Sequence, residues 1–283
     1  MRFLITGASG MLGRDLQVAL AGREVTALSR SELDITDHVA VREAVADHDV
    51  VINAAAYTKV DDAESHERDA AMVNAVGAGH IAQATAEEGA LLVQLSTDYV
   101  FDGTATSPYD EEAPTRPASA YGRTKADGER RALDANPEGT FIVRTAWLYG
   151  EHGPNFARTM LALGSERPEV SVVTDQLGQP TWTMDLARQI VTLIDSDAPV
   201  GIYHGTAGGE ASWFDFAREV FALGGLDPEK VKPTDSTAFV RPAPRPAYSV
   251  LGHTAWSEAG LAPMRDWREA LRDAFDTGAL KTP

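Results

Sequence analysis

The sequence of 283 residues predicts an α/β fold, in which a doubly wound parallel sheet is followed by a smaller carboxyl-terminal lobe. Three observations lead to this prediction. Short apolar runs alternate with segments of helical periodicity, glycines gather where the first run ends, and the pattern becomes less regular after about Gly150. Strands buried on both faces appear as continuous apolar runs, and their alternation with helices builds an open sheet with right-handed crossovers.

The first 150 residues supply the elements of this sheet in order. Residues 2–6 predict the first strand, residues 11–20 a helix with Leu12, Leu16 and Leu20 on one face, and residues 24–28 the second strand. A helix begins near Asp37. The prediction continues with strands over 50–54, 91–95 and 141–145, and with helices over about 70–88 and 121–133. Residues 1–150 therefore predict a Rossmann-type, dinucleotide-binding domain.

The remaining residues, 151–283, predict mainly a substrate-binding lobe, with some segments returning to the Rossmann sheet. We expect short strands over 170–173 and 201–204, helices over 185–194 and 213–223, and an irregular proline-rich stretch over 239–246. Ligands of open α/β sheets lie outside the carboxyl ends of the strands, so a lobe covering that edge can supply substrate contacts.

Composition excludes several classes of function. The formal net charge of −17 is unsuited to a nucleic-acid backbone, which requires clustered Lys and Arg. The absence of cysteine excludes disulfides, thiolate metal sites and cysteine nucleophiles. The apolar stretches are shorter than the ~20 residues that a membrane span needs, and the amino terminus lacks the pattern of a secretory signal. We therefore expect a cytoplasmic protein that binds neither nucleic acid nor a membrane.

The acidity itself has two interpretations. One is adaptation to high salt, where screening relieves repulsion between the carboxylates. The other is an ordinary acidic cytosolic protein whose genome favours Arg over Lys. Both remain open at the level of the sequence.

The glycine turn after the first strand predicts a cofactor site. Gly7, Gly10 and Gly13 lack side chains where a pyrophosphate would approach backbone N–H groups at a helix N-terminus. The spacing is GxxGxxG, which differs from the commonest dinucleotide fingerprint, and the alternative is a tight loop selected for packing. The position at the end of the first strand favours the cofactor.

The end of the second strand predicts which dinucleotide is used. Arg30 stands there, where a basic residue can accept the 2′-phosphate of NADP, so we predict NADPH as cofactor, with NADH possible. The alternative is a solvated surface charge. Asp34 and Ile35 lie where an adenine can rest, although Asp34 can equally cap the helix that begins near Asp37.

Tyr121 and Lys125 predict the catalytic centre. They lie four residues apart at the start of a helix, so both side chains project from one face. A phenol with a pKa near ~10 transfers protons poorly at neutral pH, and Lys125 is expected to lower that pKa so that Tyr121 can protonate a ketone oxygen during hydride transfer. Thr97, after the fourth strand, is placed to hydrogen-bond the same oxygen. The pair alone can be accidental, but its order with the glycine turn favours catalysis.

These elements resemble the short-chain dehydrogenase superfamily, and longer strings narrow the resemblance to the dTDP-4-dehydrorhamnose reductase family. The strings cover nearly the whole chain. They are NAAAYTKVDDAE (53–64), STDYVFDG (96–103), YGRTKADGE (121–129), RTAWLYG (144–150), NFARTM (155–160), DQLGQPT (175–181) and RPAYSVL (245–251).

The resemblance implies NAD(P)H-dependent reduction of the 4-keto group of dTDP-4-dehydro-L-rhamnose, in nucleotide-sugar and surface polysaccharide biosynthesis. It also implies a role for each matching residue. Tyr121 is the proton donor, and Lys125 binds the nicotinamide ribose. Gly10, Met11 and Leu12 meet the pyrophosphate, Asp34 and Ile35 the adenosine end, Ala55, Ala56 and Tyr57 the middle of the cofactor, Thr97 and Asp98 the sugar, Trp147 the sugar pocket, and Arg245 the nucleotide diphosphate.

The chain departs from the family pattern at three positions. Tyr248 stands where Asn is usual, Gly252 where an acidic or amide residue is frequent, and Asp15 where some members have a glutamate that binds magnesium between subunits. We predict no metal. A homodimer is compatible with the resemblance.

Two other functions use the same fold. Nucleotide-sugar epimerases and dehydratases employ the same Thr, Tyr and Lys but retain and regenerate NAD, and they are usually longer. Relatives of a third class are non-catalytic regulatory subunits of methionine adenosyltransferase. The presence of Thr97, Tyr121 and Lys125 favours an enzyme over this third class.

Overall fold

Six parallel strands form the central sheet of the computed structural model, which describes residues 1–281. In space the strands follow the order β2-β1-β3-β4-β5-β10. Their bounds are Arg2–Thr6 (β1), Glu24–Leu28 (β2), Val50–Asn53 (β3), Leu91–Thr97 (β4), Thr140–Thr145 (β5) and Gly201–His204 (β10). Because β2 and β3 lie on opposite sides of β1, the strand order reverses there, and a crevice opens at the carboxyl ends of the strands. The predicted doubly wound α/β class is confirmed.

The central strands are buried along their whole length, as their continuous apolar runs predict. Two ends differ from the prediction. Strand β3 stops at Asn53, and β4 continues past residue 95 to Thr97, because Ser96 and Thr97 pair with Arg144 and Thr145 of β5. A hydrophobic pattern cannot reveal ladder pairing by polar residues at the end of a strand.

Helices cover both faces of the sheet. Those of the first 150 residues are Met11–Ala19 (α1), His38–Val45 (α2), Val60–Ala63 (α3), Glu67–Ala71 (α4), Ala78–Glu88 (α5) and Ala120–Ala135 (α6), with a 3-10 turn over Asp98–Val100. The carboxylate of Asp37 accepts hydrogen bonds from Val39 N and Ala40 N, so Asp37 is the N-cap of α2. Asp34 instead accepts from Thr36 N and Oγ1, so its alternative role as a helix cap is excluded.

Residues 70–88 are helical as predicted, but the sequence did not predict a change of helix type within them. A π-helical segment, Met72–Gly77, separates α4 from α5. Asn74 lies in this segment and uses its side-chain amide to accept from Tyr57 N (2.8 Å) and to donate to Tyr57 O and Thr124 Oγ1 (both 3.1 Å). These contacts with two distant segments are tertiary, so the apolar periodicity of residues 70–88 does not reveal the wider turn.

The second half of the chain contributes a lobe with its own apolar core, which contains Leu161, Phe216, Phe221 and Trp267. Three two-stranded sheets pair β11 with β8, β12 with β7, and β6 with β9. The short strands are Leu148–Tyr149 (β6), Val170–Val173 (β7), Leu177–Gly178 (β8), Thr181–Trp182 (β9), Ala211–Ser212 (β11) and Val231–Thr234 (β12). The helices are Phe156–Glu166 (α7), Thr183–Ile194 (α8), Trp213–Leu223 (α9), Thr254–Glu258 (α10) and Trp267–Asp276 (α11), with 3-10 turns over Pro228–Lys230 and Ser236–Ala238.

Segments from beyond residue 150 also contribute to the first core. Strand β10 pairs with β5 at the edge of the sheet, and α8 packs on α1. Trp256 of α10 is buried in the same apolar cluster as Phe3 and Val143. Helices α7 and α11 and strand β12 have no counterpart in the prediction from sequence. In the part of the chain that the structure describes, no helix is both long and apolar enough to span a membrane.

Candidate active site

A cleft of about 1500 Å³ runs between the carboxyl edge of the sheet and the second lobe. Every residue that the sequence predicts for cofactor, catalysis or substrate lines this cleft. They are Gly7, Gly10, Met11, Leu12, Gly13, Arg30, Asp34, Ile35, Ala55, Ala56, Tyr57, Thr97, Asp98, Tyr121, Lys125, Trp147 and Arg245. The structure therefore brings together residues that span 239 positions of sequence, from Gly7 at one end to Arg245 at the other (245 − 7 + 1 = 239).

The glycine turn forms a cradle that side chains would fill. Gly7 has a φ of +69°, and a β-carbon there would lie 2.6 Å from Ala55 N. A β-carbon on Gly13 would lie 2.4 Å from Gly7 O, so α1 could not approach the turn. Helix α1 begins at Met11 without a side-chain cap or an acidic residue in its first turn. Its free N–H groups and positive dipole end suit an anion such as a pyrophosphate.

The far end of the cleft carries a cation and an acidic loop. Arg30 is exposed and lines this end, and Ile35 is buried beneath it against the position of Gly77. The backbone and hydroxyl of Thr36 donate to Asp34 and hold the pKa of that carboxyl below its ordinary value, with the charge of Arg30 adding to the effect. This arrangement fits the adenosine end of a dinucleotide, with Arg30 free to meet a 2′-phosphate.

Two elements meet to form the predicted catalytic group. Strand β4 delivers Thr97 at its carboxyl end, and α6 begins beside it, where Ser119 Oγ accepts from Gly122 N (3.1 Å) as the N-cap. Gly122 permits the approach, because a β-carbon there would lie 2.1 Å from Tyr99 O. The side chain of Thr97 lies close enough to the Tyr121 hydroxyl to affect its pKa.

The neighbours of this group fix its geometry. Thr97 Oγ1 donates to Asp98 Oδ1 (3.0 Å), and Lys125 Nζ donates to Leu95 O (2.5 Å). The ring of Tyr121 makes an edge-to-face contact with Tyr99, at 5.7 Å between centroids. A phenol, a hydroxyl and an ammonium group therefore converge at one wall of the cleft.

The expected lowering of the Tyr121 pKa by Lys125 is wrong for the protein groups alone. Desolvation raises the pKa of the Tyr121 phenol to about 12, against the opposing effect of the neighbouring Thr97. Burial also lowers the pKa of Lys125 to about 8, with the charge of Glu129 opposing, and raises that of Asp98 to about 6. Desolvation disfavours the charged form of each group. At neutral pH Tyr121 is therefore protonated and holds a proton at its hydroxyl oxygen.

A buried ion pair supports the turn of α6 that carries Lys125. Arg144 of β5 contacts both carboxylate oxygens of Glu129, at 2.9 and 2.8 Å, and both side chains are almost fully buried. Arg144 also donates to Glu111 O (3.1 Å). Because Glu129 lies one turn after Lys125, this pair fixes α6 against the strand that ends beside the cleft.

The lobe side of the cleft contains the other predicted substrate residues. Trp147 lies two residues after the end of β5 and stacks on Trp213, with 3.5 Å between centroids and 7° between planes. Arg245 is committed to a partner within the protein, since Nη2 donates to Asp61 Oδ2 (2.8 Å) and Nη1 to Ala243 O (3.2 Å). These two bonds use two of the five N–H donors of the guanidinium group.

Sequence reasoning missed several lining residues. Tyr99 stands in the same string as Thr97 and could have been found there, whereas Arg241 and Trp213 come from distant segments without a motif. Ser96 Oγ and Thr145 Oγ1 also line the cleft, and they are buried without a hydrogen-bond partner among the described atoms. A polar ligand could satisfy both hydroxyls.

The positions that depart from the family pattern lie apart from this wall. Tyr248 and Gly252 do not line the cleft. Tyr248 contacts Glu210 (3.3 Å), and Gly252 N donates to Tyr109 O (2.7 Å). Asp15 is buried beneath Gly150, and burial raises the pKa of its carboxyl above the ordinary value. Within residues 1–281 no group of three or more His, Asp or Glu side chains is arranged to hold a metal ion.

Comparison with known proteins identifies similar chains. The family model described as the RmlD substrate binding domain matches residues 1–279. A dTDP-4-dehydrorhamnose reductase of Streptomyces griseus is 52% identical over 282 residues, covering 97% of this chain and 93% of that protein. A dTDP-4-keto-6-deoxy-D-glucose reductase of Streptomyces niveus is 51% identical over 278 residues, with coverage of 97% and 96%. The crystal structure of a dTDP-4-dehydrorhamnose reductase from Bacillus anthracis in complex with NADP is 40% identical, with a TM-score of 0.94 and coverage of 98% and 99%.

Proposed function

The chain belongs to the family described as the RmlD substrate binding domain, and we propose that it reduces the 4-keto group of dTDP-4-dehydro-L-rhamnose to give dTDP-L-rhamnose, with NADPH as the reductant. The observation that carries the proposal is the convergence of Thr97, Tyr121 and Lys125 beside the glycine turn, in one cleft shared with the lobe. The chain is accordingly an oxidoreductase of nucleotide-sugar biosynthesis.

The cofactor residues of the proposal occupy one side of the cleft. The glycine turn and the N-terminus of α1 would hold the pyrophosphate, Arg30 the 2′-phosphate, and the backbone of Ala55, Ala56 and Tyr57 the middle of the dinucleotide. Bound NADPH supplies the hydride for the ketone carbon. NADH is the alternative hydride donor, since the proposed preference for NADPH depends on one basic residue, Arg30.

The protein supplies the proton and the orientation. Tyr121 releases its hydroxyl proton to the carbonyl oxygen as the hydride arrives at the carbon, so the C=O group becomes CH–OH. The Tyr121 phenolate that this step leaves is disfavoured by desolvation, so solvent would return the proton to it after the product has formed. Lys125 would bind the nicotinamide ribose. Thr97 would orient the carbonyl oxygen toward Tyr121 by turning its hydroxyl proton from Asp98 to that oxygen.

The substrate residues of the proposal lie across the cleft from the cofactor. Asp98 and Trp147 would contact the sugar, and Arg245 the diphosphate, because a guanidinium group matches phosphate oxygens in two-point contact. Arg245 keeps N–H donors for the diphosphate beside its ion pair with Asp61.

An NADPH-oxidation assay against nucleotide 4-keto sugars tests the reaction. We expect loss of NADPH absorbance with dTDP-4-dehydro-L-rhamnose and a higher kcat/KM for NADPH than for NADH. An Arg30→Ala variant should lose that preference while its kcat/KM for NADH stays near the wild-type value. Higher wild-type efficiency with NADH would contradict the role of Arg30.

Analysis of what purifies with the protein, together with the turnover assay, separates the other classes of function. Purification with tightly bound NAD, together with sugar conversion but no net oxidation, would replace reduction by epimerisation or dehydration. Co-purification with a methionine adenosyltransferase and no ketone turnover would replace it by a regulatory role.

We also propose a cytoplasmic location, because NADPH and nucleotide sugars are made and used there. Homodimer formation stays a prediction, and size-exclusion chromatography with light scattering measures it.

A further inference from the structure

Trp147 has an unusual backbone conformation at the wall of the cleft. Its φ of +47° lies in the left-handed region, which bulky side chains rarely adopt. Outliers of this kind persist only where the surrounding structure holds them, and they gather at ligand sites. The residue separates β5, which ends beside Thr97, from β6 of the lobe. Neighbouring residues must therefore hold Trp147 in this conformation.

The Trp147 indole stacks on Trp213. The two rings are nearly parallel, at 7° and 3.5 Å between centroids, and both line the cleft. Trp213 opens α9, whose first turn is fixed by a capping box between Ser212 and Asp215. Phe156 packs on Trp213 at 4.5 Å. Trp213 is therefore held more firmly than a loop residue and can serve as a support.

Gly178 provides a second contact with the same indole. A β-carbon on Gly178 would lie 2.5 Å from Cε2 of Trp147, so any larger residue would displace the ring. Gly178 is paired with Ala211 between β8 and β11, directly before the cap of α9. The paired strands β8 and β11 and the start of α9 thus place both Gly178 and Trp213 against Trp147.

We infer that Trp213 is a specificity-determining positioning residue of the reductase, which holds Trp147 as a fixed wall of the sugar pocket. The inference rests on the proposed function. A rigid aromatic wall accepts a deoxy sugar whose apolar face matches it and rejects sugars of another shape. The proton-transfer group lies on β4 and α6, so a change at Trp213 should alter substrate binding more than chemistry.

Two variants at this position test the inference. Trp213→Leu keeps an apolar side chain but removes the stacked ring, and Trp213→Phe retains a ring. We expect Trp213→Leu to raise the KM for dTDP-4-dehydro-L-rhamnose by roughly 10-fold, while kcat and the KM for NADPH change little. Its preference over dTDP-4-keto-6-deoxy-D-glucose should fall by a similar factor. Trp213→Phe should recover most of both values.

A spectroscopic signature separates positioning from general packing. Stacked indoles give a coupled pair of bands in far-ultraviolet circular dichroism, and loss of the pair in Trp147→Phe would identify its source. Trp213→Leu should lose this signal, whereas Phe221→Leu, in the same lobe core, should keep both the signal and the sugar preference. Gly178→Ala displaces the indole without touching Trp213 and should reproduce the altered preference, so it carries the test if Trp213→Leu does not fold.

The outcomes for the two proposals differ. Wild-type protein that oxidises NADPH with neither sugar would overturn the proposed function. Normal wild-type turnover with an unchanged sugar KM and preference in Trp213→Leu, or in Gly178→Ala where Trp213→Leu is unfolded, would overturn this inference alone. An equal loss of preference in Phe221→Leu would also overturn it, because the effect would then reflect the lobe core.

Discussion

Tyr121 is kept protonated by its surroundings, and this reverses the reasoning from the sequence. Its half-buried position in the cleft desolvates the phenolate, and the effect of the neighbouring Thr97 offsets only part of that cost. In the direction of reduction the residue must deliver a proton, and a phenol with a raised pKa holds one at neutral pH. We propose that Lys125 binds the nicotinamide ribose and does not set the pKa of this phenol.

Removal of the Tyr121 hydroxyl tests this role. We expect Tyr121→Phe to lower kcat by about 100-fold or more, since general acid catalysis typically contributes 10² to 10⁴, with the KM for NADPH little changed. Tyr203→Phe is the matched control, because its hydroxyl is bonded to Pro199 O away from the cleft. Near-normal turnover in Tyr121→Phe would contradict the assignment.

The lowered pKa of Lys125 predicts a basic limb in the pH profile. Burial places it at about 8, so the ammonium group loses its proton as the pH rises through that value, and kcat/KM should fall there. Stability should change in the opposite sense. Between about 8 and the ordinary lysine pKa of ~10.4 the unfolded chain binds more protons, so this group makes unfolding less favourable as the pH rises.

A Lys125→Arg variant distinguishes this limb from other titrations. The guanidinium group stays charged, so any residual activity should show no decline near pH 8. An unchanged limb in this variant would assign the titration to another group.

At the scale of elements, close packing of helices determines where the cofactor side of the site lies. Helix α6 crosses the π-helical segment at Gly128, where a β-carbon would lie 2.1 Å from Asn74 O. Asn74 in turn holds both backbone groups of Tyr57. These contacts connect Gly128 of α6, through Asn74, to Tyr57, a predicted cofactor residue that lies far from Gly128 in the sequence.

A pair of glycine substitutions tests that link. Gly128→Ala should destabilise the protein by about 1–3 kcal/mol through overpacking, and it should raise the KM for NADPH by moving Asn74. Gly79→Ala is the control on α5, where the nearest atom is 3.5 Å from the new β-carbon, and it should stabilise by about 0.5–1 kcal/mol. Urea unfolding measures both. Equal stability of the two variants would show that the crossing adapts.

An element can be predicted from the sequence when the residues that determine it lie close together in the chain. Strands β1 to β5 and the glycine turn have signals within a few residues, and the sequence predicts them well. The π-helical segment and helices α7 and α11 were missed. For Met72–Gly77 the decisive contacts come from Tyr57 and Thr124, which no local window contains.

At the scale of the whole molecule, the net charge of −17 opposes the compact state through repulsion between carboxylates. Many of the acidic groups are paired, as in Arg23 with Asp195 and Arg123 with Glu67, but the excess of negative charge remains on the surface. Salt shortens the range of this repulsion from about 10 Å at 0.1 M to about 3 Å at 1 M.

The melting temperature should therefore rise as KCl is increased from low to molar concentration. Scanning calorimetry measures it, and a matching NaCl series controls for the cation. A salt-independent Tm would favour the interpretation as an ordinary acidic protein over adaptation to high salt.

By itself the sequence determined the fold class, the cofactor turn and the identity of the Tyr, Lys and Thr that converge, because each is encoded by residue type and short spacing. Only the tertiary structure decided the raised pKa of Tyr121, the pairing of Arg245 with Asp61 and the stacking of Trp213 on Trp147. The pKa of Tyr121 depends on desolvation in the folded chain. The stacked tryptophans are 66 positions apart (213 − 147 = 66), and Arg245 and Asp61 are 184 positions apart. Desolvation and packing arise when the chain is folded, so no local pattern records them.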